Sequence, residues 1–127
     1  MGVDLRDGWN KTHAWQADID SDPRITMHFG VDSTQPPPDL GDPFTVIIDD
    51  GAHDWPSQFA TFQQYWPVLK ESGVYYIEDI ENDNSMKQLI QAIAQHCAGQ
   101  TIAFNIHLGL KHGREDDRIL AIQKVQS

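Results

Sequence analysis

The chain has 127 residues, enough for one domain with a modest core, and its 39% hydrophobic share is that of an ordinary globular protein. Against 9 Lys and Arg stand 19 Asp and Glu, a net charge of −10 that repels a phosphate backbone and excludes nucleic acid as the main partner. No run approaches the roughly 18 apolar residues of a membrane span, and Met1-Gly-Val-Asp-Leu-Arg lacks the pattern of a signal peptide; no membrane partner and a cytoplasmic location are expected.

Residues 6–24 are polar, with Trp9 and Trp15 among acids, and read as a loop or a poorly formed helix. Arg24 to Phe29 is a short predicted strand. Gln35-Pro-Pro-Pro-Asp39 must be a surface connection, because proline lacks a donor N–H and clashes with a preceding helical turn. Phe44 to Ile48 is a continuous β-branched and aromatic run, the pattern of a strand buried on both faces. Pro56 suits an early helical position, and Phe59, Phe62, Tyr65, Trp66 and Leu69 form a helical stripe. Glu71-Ser-Gly73 is predicted to end that helix, with Gly73 left-handed.

Val74 to Ile77 is a second predicted buried strand. Asn84 or Ser85 is expected to cap a helix whose inner face is Met86, Leu89, Ile90, Ile93, Ala94 and Cys97. Cys97, the only cysteine, is expected as a buried reduced thiol. Thr101 to Leu108 and Arg118 to Val125, separated by the polar turn 111–117, predict a closing antiparallel hairpin. The order β, β, α, β, α, β, β is that of an α/β fold, parallel in the middle and antiparallel at the end.

Both central strands end in paired acids, Asp49-Asp50 and Glu78-Asp79, and His53 follows the first pair closely. Adjacent parallel strands deliver their carboxyl ends to one edge, where ligands bind. Four acids and a histidine there suggest a divalent cation and proton transfer. Each piece also has a plainer explanation: Asp-Asp-Gly is a common turn, Glu78-Asp79 a solvated strand end, His53 a helix-start residue. Alternation along a strand points Asp49 and Asp50 opposite ways, which favours Asp50 as a ligand. His96, His107 and His112 contain no i, i+4 pair, so zinc is not expected. The acids at 115–117 read as a solvated turn. Trp55 and Trp66 cover the core, unless Trp55 walls a substrate pocket beside His53.

Ile-Ile-Asp-Asp-Gly-Ala-His, a helix carrying Trp-Pro-Val-Leu-Lys, and Gly-Val-Tyr-Tyr-Ile-Glu-Asp-Ile together resemble the class I S-adenosylmethionine-dependent methyltransferases. The resemblance is greatest to the branch of magnesium-dependent macrolide and sugar O-methyltransferases and cephalosporin-hydroxylase-like proteins. It is specific over residues 44–80 and extends more weakly over nearly the whole chain, with residues 1–5 and 28–33 similar to the family's second and third strands. It implies a Rossmann-like, mostly parallel sheet with a C-terminal antiparallel hairpin, in one partial domain spanning 1–127. It also implies Asp50, Glu78 and Asp79 as Mg²⁺ ligands and His53 as general base. Asp4, Asp32 and Asp49 would lie toward S-adenosylmethionine, Asp4 at the ribose. The acceptor would be a hydroxyl of a small molecule.

The family's turn Glu-x-Gly-x-x-x-Gly and the strand before it have no counterpart in the sequence. The sheet is therefore expected to be truncated at its N-terminal side, leaving the strand from Phe44 with an open edge. A second copy or another chain, a rearranged sheet, or a longer gene would resolve that edge. Two other functions compete with methyl transfer. One is a remnant of the fold that acts as a binding or interaction module. The other is a Mg²⁺-dependent phosphohydrolase, weakened by the lack of Asp-x-Asp and of basic residues near the acids.

Overall fold

The computed structural model describes residues 2–4, 21–107 and 118–125, the first three by their backbone. Strands β1 (Gly2–Asp4) and β2 (Met27–Phe29) pair in parallel, with Val3 opposite His28. Strand β2 is shorter than the predicted run from Arg24, because Asp22 draws the Arg24 amide and guanidinium into a local turn.

A second sheet holds β3 (Phe44–Asp49), β4 (Leu69–Ile80), β5 (Ile102–His107) and β6 (Arg118–Lys124) in the order β3-β4-β6-β5. Strands β3 and β4 are parallel, while β6 is antiparallel to both of its neighbours, so the closing hairpin is as predicted. Helices α1 (Trp55–Tyr65) and α2 (Asp83–His96) follow β3 and β4. Register sets Tyr75 opposite Ile122 and Ile77 opposite Leu120, which places all four on one face of the sheet. Phe62, Leu89 and Ile93 of the helices join these four in a single buried cluster.

Burial of β3 on both faces is not observed. Ile47 packs toward the core, but Val46 and Ile48 on the opposite face are 50% and 59% exposed. Among the described residues, the helices pack on one face alone, and β3 is an edge strand.

Helix α1 also stops sooner than its apolar stripe suggests. A 3-10 turn, Trp66–Val68, takes over at Pro67, and Leu69 already begins β4. Lys124 braces this junction: its Nζ donates to the carbonyls of Trp66 and Leu69 at 2.7 and 2.6 Å and lies over the Trp66 ring. Glu71-Ser-Gly73 is a bulge inside β4, where two steps along β3 (Phe44 to Val46) face five along β4 (Leu69 to Val74).

Within the bulge Ser72, not Gly73, has the left-handed conformation, with φ 67°. Gly73 is there for closeness. A Cβ at that position would stand 2.8 Å from the Lys70 carbonyl oxygen and from Leu69 Cγ. Gly73→Ala should therefore cost about 1–3 kcal/mol through overpacking and lower the melting temperature by about 5 °C or more. Thermal melts followed by circular dichroism would check this, and an unchanged midpoint would mean that the bulge yields freely.

Helix α2 is capped two residues before the earlier of the expected positions. Asn82 Oδ1 accepts the Ser85 amide at 2.8 Å, while Asn84 and Ser85 lie within the first turn. Met86, Leu89 and Ile93 are buried as the stripe predicts, whereas Ala94 is exposed. Cys97 is a buried free thiol whose pKa burial pushes up. Trp9, Trp15, His112 and the acids at 115–117 lie outside the described residues. No described helix is long and apolar enough to cross a membrane.

Candidate active site

Parallel pairing of β3 with β4 sets Asp49 opposite Ile77 and brings the two carboxyl ends to one edge. Asp50 leaves β3 there, and Glu78 and Asp79 occupy the end of β4. One carboxylate oxygen from each of Asp50, Glu78 and Asp79 lies within 4.8 Å of the others.

Regular strand geometry cannot produce that grouping, because neighbouring side chains point to opposite faces. Strand β4 solves the problem with a second irregularity. From Ile77 to Ile80 it advances three residues while β6 advances two, and Asp79 takes φ 55°. An aspartate tolerates the left-handed region better than most residues, at a cost of about 1 kcal/mol. The bulge re-aims Asp79 toward the group that Glu78 already faces.

Asp49 points inward and is 9% exposed. Its Oδ1 accepts the Gly51 amide at 3.0 Å, and its Oδ2 is buried without a hydrogen-bond partner among the described residues. Burial drives its carboxyl pKa up to about 6; the Gly51 bond opposes that rise, and the charges of Asp50 and Glu78 add to it. The buried hydroxyls of Tyr65 and Tyr75 are likewise unpartnered among the described residues. The Glu78 carboxyl is pushed up as well, first by burial and then by Asp50 and Asp79. Three acids repelling one another, with hard oxygen donors only, fit a divalent cation such as Mg²⁺.

His53 sits in the loop between Asp50 and α1, and its Nε2 is 3.6 Å from Asp79 Oδ2. The next residue, Asp54, caps α1 by accepting the Ser57 amide at 3.0 Å, which fixes the loop where it enters the helix. Trp55 is half-buried and packs against the core. Asp32 is spent locally, its Oδ1 accepting the Thr34 amide at 2.9 Å and the Thr34 hydroxyl at 2.7 Å. Those two bonds hold its carboxyl below the usual carboxylate range. Asp4 ends β1 in the backbone trace.

The sequence reading overlooked Gln58. It is buried on α1 at 1% exposure, its Nε2 donates to the Glu78 carbonyl at 3.2 Å, and its Oε1 is unpartnered among the described residues. The signal was present in its spacing. Gln58 lies four residues before Phe62 and seven before Tyr65, on the buried stripe, whereas Phe59 is only half-buried.

No protein-family model and no curated protein matches the chain by sequence. Solved structures match it by fold. A proposed rRNA methylase from Clostridium thermocellum aligns with TM-score 0.64 and 12% identity, over 98% of this chain and 74% of that one. The O-methyltransferase NovP aligns with TM-score 0.58 and 13% identity, over 88% of this chain and 42% of its own. The O-methyltransferase TomG from Streptomyces achromogenes, involved in tomaymycin synthesis and solved with S-adenosylmethionine, aligns with TM-score 0.59 and 12% identity, over 98% of this chain and 60% of its own. The chain thus has the Rossmann-like α/β fold of these methyltransferases, and it spans less than half the length of NovP.

Proposed function

We propose that the protein takes part in S-adenosylmethionine-dependent, divalent-metal-assisted O-methyl transfer to a hydroxyl of a small molecule of sugar or natural-product type. The observation that carries the reading is the convergence of the Asp50, Glu78 and Asp79 carboxylates at the carboxyl edge of β3 and β4, with His53 beside them. The O-methyltransferases among the structural neighbours support the same chemistry.

When bound, S-adenosylmethionine supplies an electrophilic methyl group, and a divalent cation supplies a Lewis acid that acidifies a coordinated hydroxyl. Asp50, Glu78 and Asp79 would hold the cation. His53 would take the acceptor's hydroxyl proton as general base, and the Asp79 carboxylate would stabilise the imidazolium that forms. The oxygen left behind would then accept the methyl group, with the neutral thioether as the leaving group. The resemblance would set Asp4, Asp32 and Asp49 toward the methyl donor, although Thr34 occupies Asp32 Oδ1 and Asp49 is turned inward. The acceptor is a small molecule, and the edge that β3 presents among the described residues suits completion by a second copy or another chain.

The three carboxylates stand as a group whatever holds the methyl donor, and this supports a second reading, a remnant of the fold that acts as a binding or interaction module without methyl transfer of its own. Calorimetric titration with S-adenosylmethionine, with and without Mg²⁺, separates the two. Heat of binding for both ligands is expected. Mg²⁺ binding without any response to S-adenosylmethionine would select the module, and silence toward both would sink each reading.

A further inference from the structure

We propose that Gln58 is a positioning residue: its side-chain amide pins the Glu78–Asp79 peptide and so sets two acids, which a regular strand would separate, on one cation. The functional consequence rests on the metal reading above; the structural clamp does not.

The argument starts from the bulge. Glu78 and Asp79 are consecutive, and β alternation would aim them at opposite faces of the sheet. They share one group of carboxylates because β4 gains a residue between Ile77 and Ile80 and Asp79 turns to φ 55°. That φ is the rotation between Asp79 Cα and the Glu78–Asp79 peptide plane. The carbonyl of that same peptide accepts Gln58 Nε2 at 3.2 Å. A fixed plane allows few settings of Asp79, so the bond favours the left-handed one over a return to extended strand.

Gln58 is well anchored for the task. Its backbone amide donates to Asp54 at the capped start of α1, and its side chain is almost fully buried beneath the sheet edge. A carbonyl acceptor requires the amide nitrogen at that contact, which leaves Oε1 as the buried atom without a partner. An apolar residue of the same size would leave no such atom. Gln58 is therefore a poor choice for stability alone and a good one for holding the peptide.

The test uses Gln58→Met, which keeps the length of the side chain and removes both the donor and the orphaned oxygen, with Gln58→Leu as a second variant. Three quantities are measured: the melting temperature in EDTA, Mn²⁺ affinity by calorimetry, and the backbone 13Cα and 15N shifts of Asp79. The variant should melt within a few degrees of the unmodified protein or above it, bind Mn²⁺ about tenfold more weakly, and show Asp79 shifts of extended backbone. A structural role alone would lower melting without moving the Asp79 shifts. Mn²⁺ affinity within twofold, with unchanged Asp79 shifts, would overturn the proposal, as would loss of folding in both variants. Should the unmodified protein bind no Mn²⁺, the metal reading fails, and the Asp79 shifts alone decide the clamp.

Discussion

Asp50→Asn and Glu78→Gln should each weaken Mn²⁺ or Mg²⁺ binding by on the order of 100-fold or more, while raising the stability of the metal-free protein. Loss of an outer partner of a ligand already costs about 10–100-fold in many sites, and these two side chains are proposed as ligands themselves. The opposite effect on the metal-free fold follows from the electrostatics. Burial, Asp50 and Asp79 all disfavour the ionised Glu78 carboxyl, so an uncharged amide of the same shape relieves that repulsion. Anything that binds the folded state alone raises its melting temperature by mass action. Melts in EDTA and in millimolar Mn²⁺ read both effects at once. The unmodified protein should melt lower in EDTA and gain strongly from the metal. The variants should melt higher in EDTA and gain little. A variant that keeps the full metal-induced increase would remove its residue from the ligand set, and no increase in the unmodified protein would end the metal reading.

The strand-end acids were legible because the two runs, Phe44 to Ile48 and Val74 to Ile77, announce buried or half-buried β structure and each stops at a carboxylate pair. Their parallel pairing follows from the helix between them, and the convergence of Asp50 with Glu78 follows from that pairing. Asp79 was different. Alternation alone would turn it away from Glu78, and only the bulge with its positive φ brings it back. Bulges depend on what the partner strand and the covering helix demand, which local sequence does not encode.

The same limit explains the other departures. An apolar run looks identical whether one or both faces are covered, so Val46 and Ile48 read as buried though the helices pack on the far face of the sheet. Glycine marks a left-handed position or a close approach, and Gly73 is the second, with Ser72 taking the strain. Asn82 is not singled out as a cap by sequence because four consecutive residues, Asn82-Asp83-Asn84-Ser85, are all good cap formers. Gln58 was passed over because a polar residue on an apolar stripe draws no notice until its partner, the Glu78 carbonyl, is known.

Asp49→Asn should flatten the pH dependence of stability in the metal-free protein. The folded-state carboxyl pKa stands at about 6, against an ordinary value of 3.8, chiefly through burial. Between those two values the folded chain keeps a proton that the unfolded chain releases, so stability falls as pH rises. The contribution is complete below about pH 4 and is lost as pH passes through 6. A shift of about two pH units corresponds to about 3 kcal/mol. The amide variant carries no charge to bury and can keep the oxygen that accepts the Gly51 amide. It should therefore match the unmodified protein near pH 4 and exceed it by up to about 3 kcal/mol at pH 8. Urea unfolding in EDTA at pH 4, 6 and 8 measures the gap directly. Parallel stability profiles for the two proteins would mean that water or a rearranged side chain already satisfies Asp49 Oδ2, and that this carboxyl titrates like a surface aspartate.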